Sequence, residues 1–372
     1  MPTDTKYRIL IATNHLDTVG GTEVYTYYFL GSLKKVPGLI LEYFTFKKGD
    51  TSEKIEKELG IPFKSHNDYD LIIANHNTTV NYLFGQGPII QICHGTLPPL
   101  EQPSPLAFRH IAVSEETAAH LRVKGFDAEV ILNGIDTRIF QPQQALNDPP
   151  EKLLSLCQSE TANELLKKAC ESEGISFQSI NKFVNPTFDI APEINRADIV
   201  VGLGRSVYDA MACGRPCIVF DQRSYNGNLG DGYLDPADFD NYVRYNCSGR
   251  YLRKSFSEKN LREEIKKYNP RDGAGLRQIT LKKLNMDENA KQILHLGLQI
   301  PYRGKFIHQL KTVAIYYKYK SIFKEQKRLF KERIREAYRE GKTKKSLMDM
   351  VHGEKFPFHI RLSLYLFIFK LS

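Results

Sequence analysis

The chain has 372 residues, of which 41% are apolar and 26% are charged. This composition is typical of a globular protein and excludes a disordered or fibrous one, and the length allows two domains of moderate size. No run of about 18 uncharged apolar residues occurs, so the sequence predicts no transmembrane helix. The start of the chain has no cleavage pattern of a signal peptide, which favours a cytoplasmic location.

The charge is unevenly distributed along the chain. Residues 251–372 contain 29 Lys and Arg against 12 Asp and Glu, so the C-terminal third is strongly basic and the rest is mildly acidic. A basic segment of this size indicates an anionic partner, which could be a membrane face, a nucleic acid or an acidic polymer.

Six cysteines are present, without a CxxC pair or the cysteine and histidine spacing of a zinc site. An even count would allow three disulfides, but a long chain without an export signal favours reduced thiols. We therefore expect free cysteines.

The first 140 residues alternate short apolar runs with helix-prone segments. The runs are nearly continuous and are bounded by Gly, Pro and Asn, as expected for strands buried on both faces of a parallel sheet. Strands are predicted at 7–13, 39–46, 69–75, 87–94, 109–114 and 128–133. Helices are predicted between them, for example at 22–35 and at 114–125, where Ser114 is a plausible N-cap. This order predicts a doubly wound sheet.

A polar segment with several Pro and Gln residues, 136–151, is predicted to link this domain to a second α/β series. Strands of that series are predicted at 152–158, 175–180, 197–204 and 215–221, with helices at 160–173 and 205–214. Beyond about residue 255 the pattern becomes helical. The predicted units are an N-terminal Rossmann-like domain over 1–140, a C-terminal one over 141–297 and a basic helical tail over 298–372.

A glycine pair, Gly20 and Gly21, lies between the first predicted strand and the first predicted helix. Glycines there let backbone N–H groups approach an oxyanion at the helix N-terminus, although such a pair is also common in a plain turn. Glu23, in the first turn of the same helix, is better explained as a carboxylate stabilised by the helix dipole than as a catalytic group.

The segment ADIVVGLGRSVYDAMACGRP is a stronger pattern. Gly202 and Gly204 open a turn between a strand and a helix, and Ser206 lies near the helix start. Backbone N–H donors and a hydroxyl are thereby placed where a diphosphate could bind, and Asp209 could hold a ribose one turn further along. The alternative is a tight turn without a ligand. The G-x-G-x-x-G fingerprint is absent, because a valine follows Ser206 where the pattern needs its last glycine.

Four segments in order carry a family resemblance: GGTE at 20–23, AVSEETAAHL at 112–121, ILNGIDTRIF at 131–140 and the segment at 197–216. Together they resemble the family-4 glycosyltransferases of GT-B fold, which are retaining enzymes that use nucleotide-activated sugars. The resemblance covers about residues 7–297. It implies an α/β protein with two Rossmann-like domains facing a central cleft, and transfer of a sugar from a nucleotide-sugar donor to an acceptor.

The resemblance also implies roles for individual residues. Gly20 and Gly21 match the family's glycine loop over the donor phosphates and the transferred sugar. His94 matches the histidine that ends a first-domain strand and faces the reacting groups, although a histidine can also occupy a strand end for structural reasons. Asp209 matches the second acid of the family's Glu-x7-Glu motif, which holds the nucleotide ribose.

The sequence departs from the family pattern at two places. Val201 replaces the first acid of Glu-x7-Glu, and the basic pair expected after the strand at 152–158 is missing. Arg205 could supply the missing cation beside the phosphates, since a guanidinium can bridge two phosphate oxygens. The turn after 197–202 is also similar to that of the inverting, lipid-linked N-acetylglucosaminyltransferases of peptidoglycan synthesis, so the stereochemistry stays open.

No DxD string occurs, so we expect no essential divalent metal and no cofactor besides the nucleotide diphosphate sugar, which is a substrate. In retaining GT-B enzymes the departing phosphate is thought to help deprotonate the acceptor. The resemblance therefore implies catalysis by positioning and charge neutralisation, without a nucleophile and base pair.

In the basic tail, Phe323, Phe330, Ile334 and Ala337 lie on one helical stripe surrounded by Lys and Arg, and the chain ends in the apolar LSLYLFIFKLS. A basic helix of this kind can lie in a membrane interface, and each basic group near an anionic leaflet contributes on the order of 1 kcal/mol. This predicts a peripheral enzyme on the inner face of the cytoplasmic membrane, with a lipid-linked or polysaccharide acceptor of cell-envelope biosynthesis. The alternative is that the stripe packs onto the body of the protein.

Two other functions are compatible with the sequence. Val201 and the missing basic pair fit a non-catalytic GT-B-like module that only binds nucleotide sugars. The basic C-terminal third fits a DNA-modifying glucosyltransferase, but no motif for reading nucleic acid accompanies it, so nucleic acid is the less favoured partner.

Overall fold

The computed structural model describes residues 6–185, 187–300, 324–325, 327–353 and 358–371. The described chain forms two α/β domains, each built on a largely parallel sheet. This confirms the predicted fold class of two Rossmann-like domains, the GT-B architecture. The predicted domain boundaries themselves stay a prediction.

The first domain contains a six-stranded sheet in which all neighbouring strands run parallel. Its strands, with two short ones outside the sheet, are β1 (Tyr7–Ala12), β2 (His15–Leu16), β3 (Leu39–Phe44), β4 (Lys47–Lys48), β5 (Leu71–Ala74), β6 (Ile89–Cys93), β7 (Arg109–Ala112) and β8 (Ala128–Val130). The sheet order is β3-β1-β5-β6-β7-β8, and β2 pairs only with β4. The central strands β5 and β6 are wholly buried, which explains their nearly continuous apolar sequences.

The helices of this domain follow the strands as βαβ connections require. They are α1 (Gly21–Leu33), α2 (Asp50–Lys54), α3 (Asn77–Leu83) and α4 (Glu115–Val123). Ser114 caps α4 as predicted, because its hydroxyl accepts a hydrogen bond from the Thr117 N–H at 3.2 Å. Most of α1 is buried, including the aromatic side chains of Tyr25, Tyr27, Tyr28 and Phe29.

The second sheet has the order β10-β9-β11-β12-β13 and is parallel except for its last strand. Its strands are β9 (Lys152–Ser155), β10 (Ser176–Ser179), β11 (Ile199–Gly202), β12 (Cys217–Val219) and β13 (Gly232–Tyr233). The helices are α5 (Glu160–Glu173), α6 (Ala191–Asn195), α7 (Arg205–Ala212), α8 (Phe239–Arg244), α9 (Glu258–Ile265), α10 (Pro270–Lys283) and α11 (Met286–Leu298).

The aromatic residues of α1 join the two domains. The Tyr27 ring meets Phe188 edge-on at 4.9 Å between ring centres, and Tyr28 meets Phe140 at 5.8 Å. Helix α11 returns to the first domain, where Gly297 lies so close to Leu71 that a Cβ would be 2.3 Å from its side chain. The two domains therefore share one continuous apolar core.

The described part of the tail folds onto the first domain as helices. They are α12 (residues 327–339), α13 (Lys344–Gly353) and α14 (Phe358–Phe369). One face of the first sheet packs against these helices: Leu10 and Ile72 belong to the same apolar cluster as residues of all three. The residues next to them on the strands point to the opposite face and belong to the core shared by the two domains. The tail thus supplies part of the helical layer that a buried parallel sheet needs.

The predicted apolar stripe of the tail is used for this packing. Phe330, Ile334 and Ala337 are all buried in the cluster, so these three face the protein and not a membrane. Phe323, the fourth member of the stripe, lies outside the described residues. Within the described ranges, no helix combines the length and the apolar character needed to cross a bilayer.

The cysteines are packing residues. All six are free and buried in the structure, and their reduced state in the cell stays a prediction. Burial raises the pKa of the Cys93 thiol to about 12, so almost no reactive thiolate is present there at neutral pH.

Replacing Ile334 by alanine is expected to lower the free energy of unfolding by about 2–5 kcal/mol, because a fully buried side chain is removed between α12 and the first sheet. Denaturant unfolding measures this change. Leu329→Ala is the matched control on the same helix, because Leu329 is 48% exposed, and its effect should stay within about 0.5 kcal/mol. Equal losses in the two variants would contradict the packing described for α12.

Candidate functional site

A cleft between the domains forms a cavity of about 300 Å³. The loops that line it follow the carboxyl ends of strands in both sheets, which is where open α/β sheets bind ligands. Residues of the first-domain wall include Gly21, Thr22, Tyr25, His94, Gly95 and Glu101. Residues of the second-domain wall include Gln158, Lys182, Gly204, Arg205, Ser206, Arg223, Asn246 and Arg250.

The structure brings most of the sequence-predicted site residues to this cavity. Those that line it are Gly21, His94, Gly204, Arg205 and Ser206. Gly20, Gly202 and Asp209 are not among the lining residues and lie directly beside them in the chain or in space. A Cβ at Gly20 would be 2.6 Å from the Glu23 carboxylate, and one at Gly202 would be 2.9 Å from the Ser206 Cβ. Both glycines are therefore needed for close packing behind the cavity.

The turn into α7 requires glycine. Gly204 has φ +59° and ψ −120°, a conformation that L side chains rarely adopt, and its N–H donates to the Cys247 carbonyl at 2.8 Å. Because Gly204 is the N-cap, no side chain caps the helix. The N–H groups of Arg205 and Ser206, at the first turn, lack partners within the helix and carry its partial positive charge. This end of α7 is suited to an anion.

Arg205 is held at the cavity by groups from both domains. Its guanidinium lies 5.5 Å from the centre of the Tyr28 ring, and its Nη1 donates to the Gly134 carbonyl at 3.5 Å. The Nη2 atom is 3.5 Å from Asp209 Oδ1. Both Nε and Nη2 are buried without a hydrogen bond from any described residue. Buried donors of this kind are costly, and an anion in the cavity would satisfy them.

Asp209 lies behind Arg205 instead of in the cavity wall. Its carboxyl is buried, and burial raises its pKa to about 6 while the nearby charge of Arg205 opposes the increase. The structure therefore gives Asp209 a contact with Arg205, and its predicted role toward a ribose stays a prediction.

His94 stands on the opposite wall. Its Nε2 is hydrogen-bonded to Asn75 Oδ1 at 3.0 Å, and its ring meets Tyr25 edge-on at 4.8 Å. Burial lowers the pKa of His94 to about 4, a hydrogen bond with Asn133 opposes this, and the charge of Arg205 lowers it further. The imidazole is thus neutral at pH 7. It can exchange hydrogen bonds with a hydroxyl but is a weak base.

Asn133 and Arg250 are site residues that the sequence did not reveal. Asn133 is buried and lines the cavity beside His94. Arg250 makes a two-point ion pair with Glu116 of α4, at 2.7 and 2.6 Å, which bridges the domains beside the cavity. Asn133 belongs to the ILNGIDTRIF segment, which could have suggested it, whereas nothing in the local sequence singles out Arg250.

Glu101 is a third site residue that the sequence analysis did not identify. It ends the short 3₁₀ turn Pro99–Glu101, and its carboxylate lies over Gly95, where a Cβ would be 2.5 Å from Oε2. Burial raises the pKa of Glu101 to about 7, and no charge from the described residues offsets it. Its carboxylate makes no hydrogen bond or ion pair with any described residue, so the acid is free to meet a ligand in the cavity.

Within the described part of the chain, no group of three or more His, Cys, Asp or Glu side chains is placed to hold a metal ion. The expected independence from a divalent metal stays a prediction.

Gly21→Ala is expected to preserve stability, because the new Cβ would meet no heavy atom within 4 Å and alanine favours a helix more than glycine does. It would nevertheless place a methyl group in the cavity, so the affinity for pyrophosphate, used as a probe of the anion site, should fall by about tenfold, roughly the 1–2 kcal/mol of a small steric conflict. Thermal unfolding and calorimetric titration measure the two effects. Gly31→Ala, on the same helix but outside the cavity, is the control. A normal affinity in Gly21→Ala would show that no ligand approaches this glycine.

Comparison with known proteins gives structural likeness only. No family model and no curated protein sequence matches the chain. A UDP complex of MnaA from S. aureus is 11% identical, with a TM-score of 0.48 over 79% of this chain and 98% of that one. AviGT4, a glycosyltransferase involved in avilamycin A biosynthesis, is 14% identical, with a TM-score of 0.48 over 78% and 96%. A UDP-N-acetylglucosamine 2-epimerase from Rickettsia bellii is 10% identical, with a TM-score of 0.47 over 81% and 100%. Likenesses at this level do not bear on activity, which has to be inferred from the cleft.

Proposed function

We propose that this chain is a glycosyltransferase that moves a sugar from a nucleotide-sugar donor to an acceptor. The observation that carries the proposal is the state of Arg205: a buried guanidinium with two unsatisfied donors, at the uncapped N-terminus of α7, in a cleft between two Rossmann-like domains. A diphosphate supplies the negative charge and the several acceptor oxygens that this arrangement lacks. The resemblance in the sequence supports a hexosyl donor and retention of configuration.

The mechanism follows from where charge develops. As the bond between the sugar and the phosphate breaks, negative charge accumulates on the nucleoside diphosphate. The guanidinium of Arg205 and the N–H groups at the start of α7 stabilise that charge more strongly in the transition state than in the bound donor. On the opposite wall, the neutral imidazole of His94 is placed to hydrogen-bond a hydroxyl of the sugar or the acceptor.

A panel of nucleotide sugars tests the proposal directly. UDP-glucose, UDP-N-acetylglucosamine, GDP-mannose and their free diphosphates are added to the protein, and the shift in thermal unfolding is measured. A ligand at 100 times its Kd should stabilise the fold by about 2.7 kcal/mol. The products then separate the alternatives. Released nucleoside diphosphate with a glycosylated acceptor indicates transfer, an epimerised nucleotide sugar indicates an epimerase, and binding without turnover indicates the non-catalytic module.

Arg205→Ala is expected to weaken binding of the best nucleoside diphosphate by about 10- to 100-fold, equivalent to roughly 1.5–3 kcal/mol for a charged hydrogen-bonding partner. Arg205→Lys should recover part of the charge but not the two-point geometry. Arg271→Ala, an exposed arginine at the start of α10, is the control. Unchanged diphosphate affinity in Arg205→Ala would remove the observation on which the proposal rests.

The acceptor is proposed to be a lipid-linked or polysaccharide glycan of the cell envelope, reached from an anionic membrane surface. The buried stripe of α12 does not support this, but α14 leaves Leu366 and Phe369 54% and 62% exposed. Lys331 and Arg335 lie over the neighbouring Phe367 ring. An apolar helix end next to cations is compatible with a peripheral contact.

The vesicle partition of the protein tests this contact. The protein should sediment with vesicles that contain phosphatidylglycerol more than with vesicles of phosphatidylcholine alone, and salt should release it. The double change Leu366→Ser and Phe369→Ser should lower the bound fraction without unfolding the protein, because both side chains are exposed. Equal partition onto the two vesicle types would exclude an anionic membrane surface as the partner.

A further inference from the structure

Several carboxylates lie in or near the cleft, and they differ in which neighbouring groups they contact. Asp209 is 3.5 Å from Arg205 and does not line the cavity. Glu116 is held by the two-point pair with Arg250. Glu23 lies at 3.1 Å from His15 Nε2, behind Gly20. Each of these acids is committed to a neighbouring group in the protein.

Glu101 differs from all three. It lines the cavity, and its carboxylate makes no ion pair or hydrogen bond with any residue that the structure describes. The Gly95 backbone lies directly beneath it, so a side chain at position 95 would displace the carboxylate. It shares the first-domain wall with His94, across the cavity from Arg205. A carboxylate that lines a ligand cavity and has no partner among the described residues is available for proton transfer.

We infer that Glu101 accepts the proton of the attacking hydroxyl in the reaction catalysed by this cleft. The inference rests on the proposed function. In this step the hydroxyl of the acceptor, or of water in donor hydrolysis, transfers its proton to a Glu101 carboxylate oxygen. The oxygen forms a bond to the anomeric carbon, and the bond from that carbon to the phosphate oxygen breaks. The electron pair leaves with the nucleoside diphosphate, which Arg205 and the start of α7 hold.

The other groups at the cavity fit this assignment. His94 is neutral and weakly basic, so it is suited to orient a hydroxyl rather than to deprotonate it. The sequence resemblance implied retention of configuration, with the leaving phosphate taking this proton. A proton acceptor on the wall opposite Arg205 instead directs the hydroxyl to the far face of the anomeric carbon, so this step inverts the configuration, the outcome that the sequence left open. Titratable and charged groups that line or border the cavity with Glu101 are Tyr25, Cys93, His94, Lys182, Arg205, Arg223 and Arg250. The cations stand on the second-domain wall.

The pH dependence follows from the ionisation of Glu101. Burial raises its pKa to about 7, so the carboxylate that accepts the proton becomes populated as the pH rises through 7. Turnover in the wild type should therefore increase between pH 6 and 8. Glu101→Gln keeps the size of the side chain but cannot take the proton, so it should lose this limb of the pH profile.

The test compares wild type, Glu101→Gln and the control Glu115→Gln, an exposed acid at the start of α4. Release of UDP from UDP-glucose and UDP-N-acetylglucosamine, and of GDP from GDP-mannose, is measured from pH 5.5 to 9, together with calorimetric binding of UDP and GDP. We expect Glu101→Gln to lower turnover by about 10²- to 10⁴-fold, the usual range for a general base, with diphosphate Kd within twofold of wild type. Glu115→Gln should match the wild type in both.

A second readout needs no substrate. Burial raises the pKa of Glu101 from its ordinary 4.5 to about 7 in the folded protein, so the wild type loses stability as the pH rises from about 4.5 to about 7, whereas Glu101→Gln does not. The melting temperature of Glu101→Gln relative to wild type should therefore rise between about pH 4.5 and 7 and stay constant above that. This would show that the variant folds and that the acid sits in the buried environment described.

The outcomes are distinct. Turnover in Glu101→Gln within threefold of wild type, or a constant difference in melting temperature over that pH range, would overturn the assignment of Glu101 while leaving the proposed function intact. A wild-type protein that neither binds the diphosphates nor releases them from the donors would overturn the proposed function and this inference with it.

Discussion

The site depends on one buried cation. A guanidinium inside a protein is costly unless its donors are satisfied, and among the described residues Arg205 has only one long hydrogen bond, to Gly134, and a loose ion pair with Asp209. The ion pair is also weakened at its acidic partner, because burial raises the pKa of Asp209 to about 6 and so disfavours the charged carboxylate. The folded protein therefore carries a positive charge that it neutralises incompletely. A bound anion would neutralise the remaining charge, and a cation already in position for it is a preorganised binding group.

The position of Arg205 links the site to the fold. Tyr28, whose ring lies beside the guanidinium, belongs to α1 of the first domain, while Arg205 begins α7 of the second. The same stretch of α1 forms the aromatic contacts between the domains. The tail packs on the opposite face of the first sheet, so α1 is supported indirectly by residues far along the chain. The cation is thus placed by the packing of two domains and not by its own loop alone.

The fold could be predicted from the sequence because its information is local and periodic. Nearly continuous apolar runs and turn residues predicted the parallel strands of both sheets but not the antiparallel edge strand β13, and Ser114 marked the start of α4. Gly204 and Arg205 could be found for the same reason, since a strand, a turn and a helix start are adjacent in the chain. Glu101 and Arg250 could not be found from the local sequence. Glu101 is distinguished by having no side-chain partner among the described residues, and Arg250 by a partner, Glu116, more than a hundred positions away in the chain.

The tail shows a different limit. An apolar stripe on a basic helix predicts that the stripe is covered, but the pattern does not distinguish a membrane from another part of the same protein. Phe330, Ile334 and Ala337 are covered by the first domain. The first sheet explains this packing, because a parallel sheet with apolar residues on both faces requires a helical layer on each face. The surface that covers the stripe can be identified only from the whole fold, which shows that one face of the first sheet needs a helical layer.

The two walls of the cleft divide the chemistry between them. The second domain contributes cations and helix N–H groups, which in the proposed reaction stabilise the negative charge that leaves with a phosphate. The first domain contributes a neutral imidazole and a carboxylate whose proton affinity is raised by burial, and in the proposed reaction these groups bind a hydroxyl and accept its proton. If the two sets were on one wall, the cations would lower the proton affinity of Glu101 and pair with it. Their placement on different walls of the cavity keeps the anion site and the proton acceptor distinct.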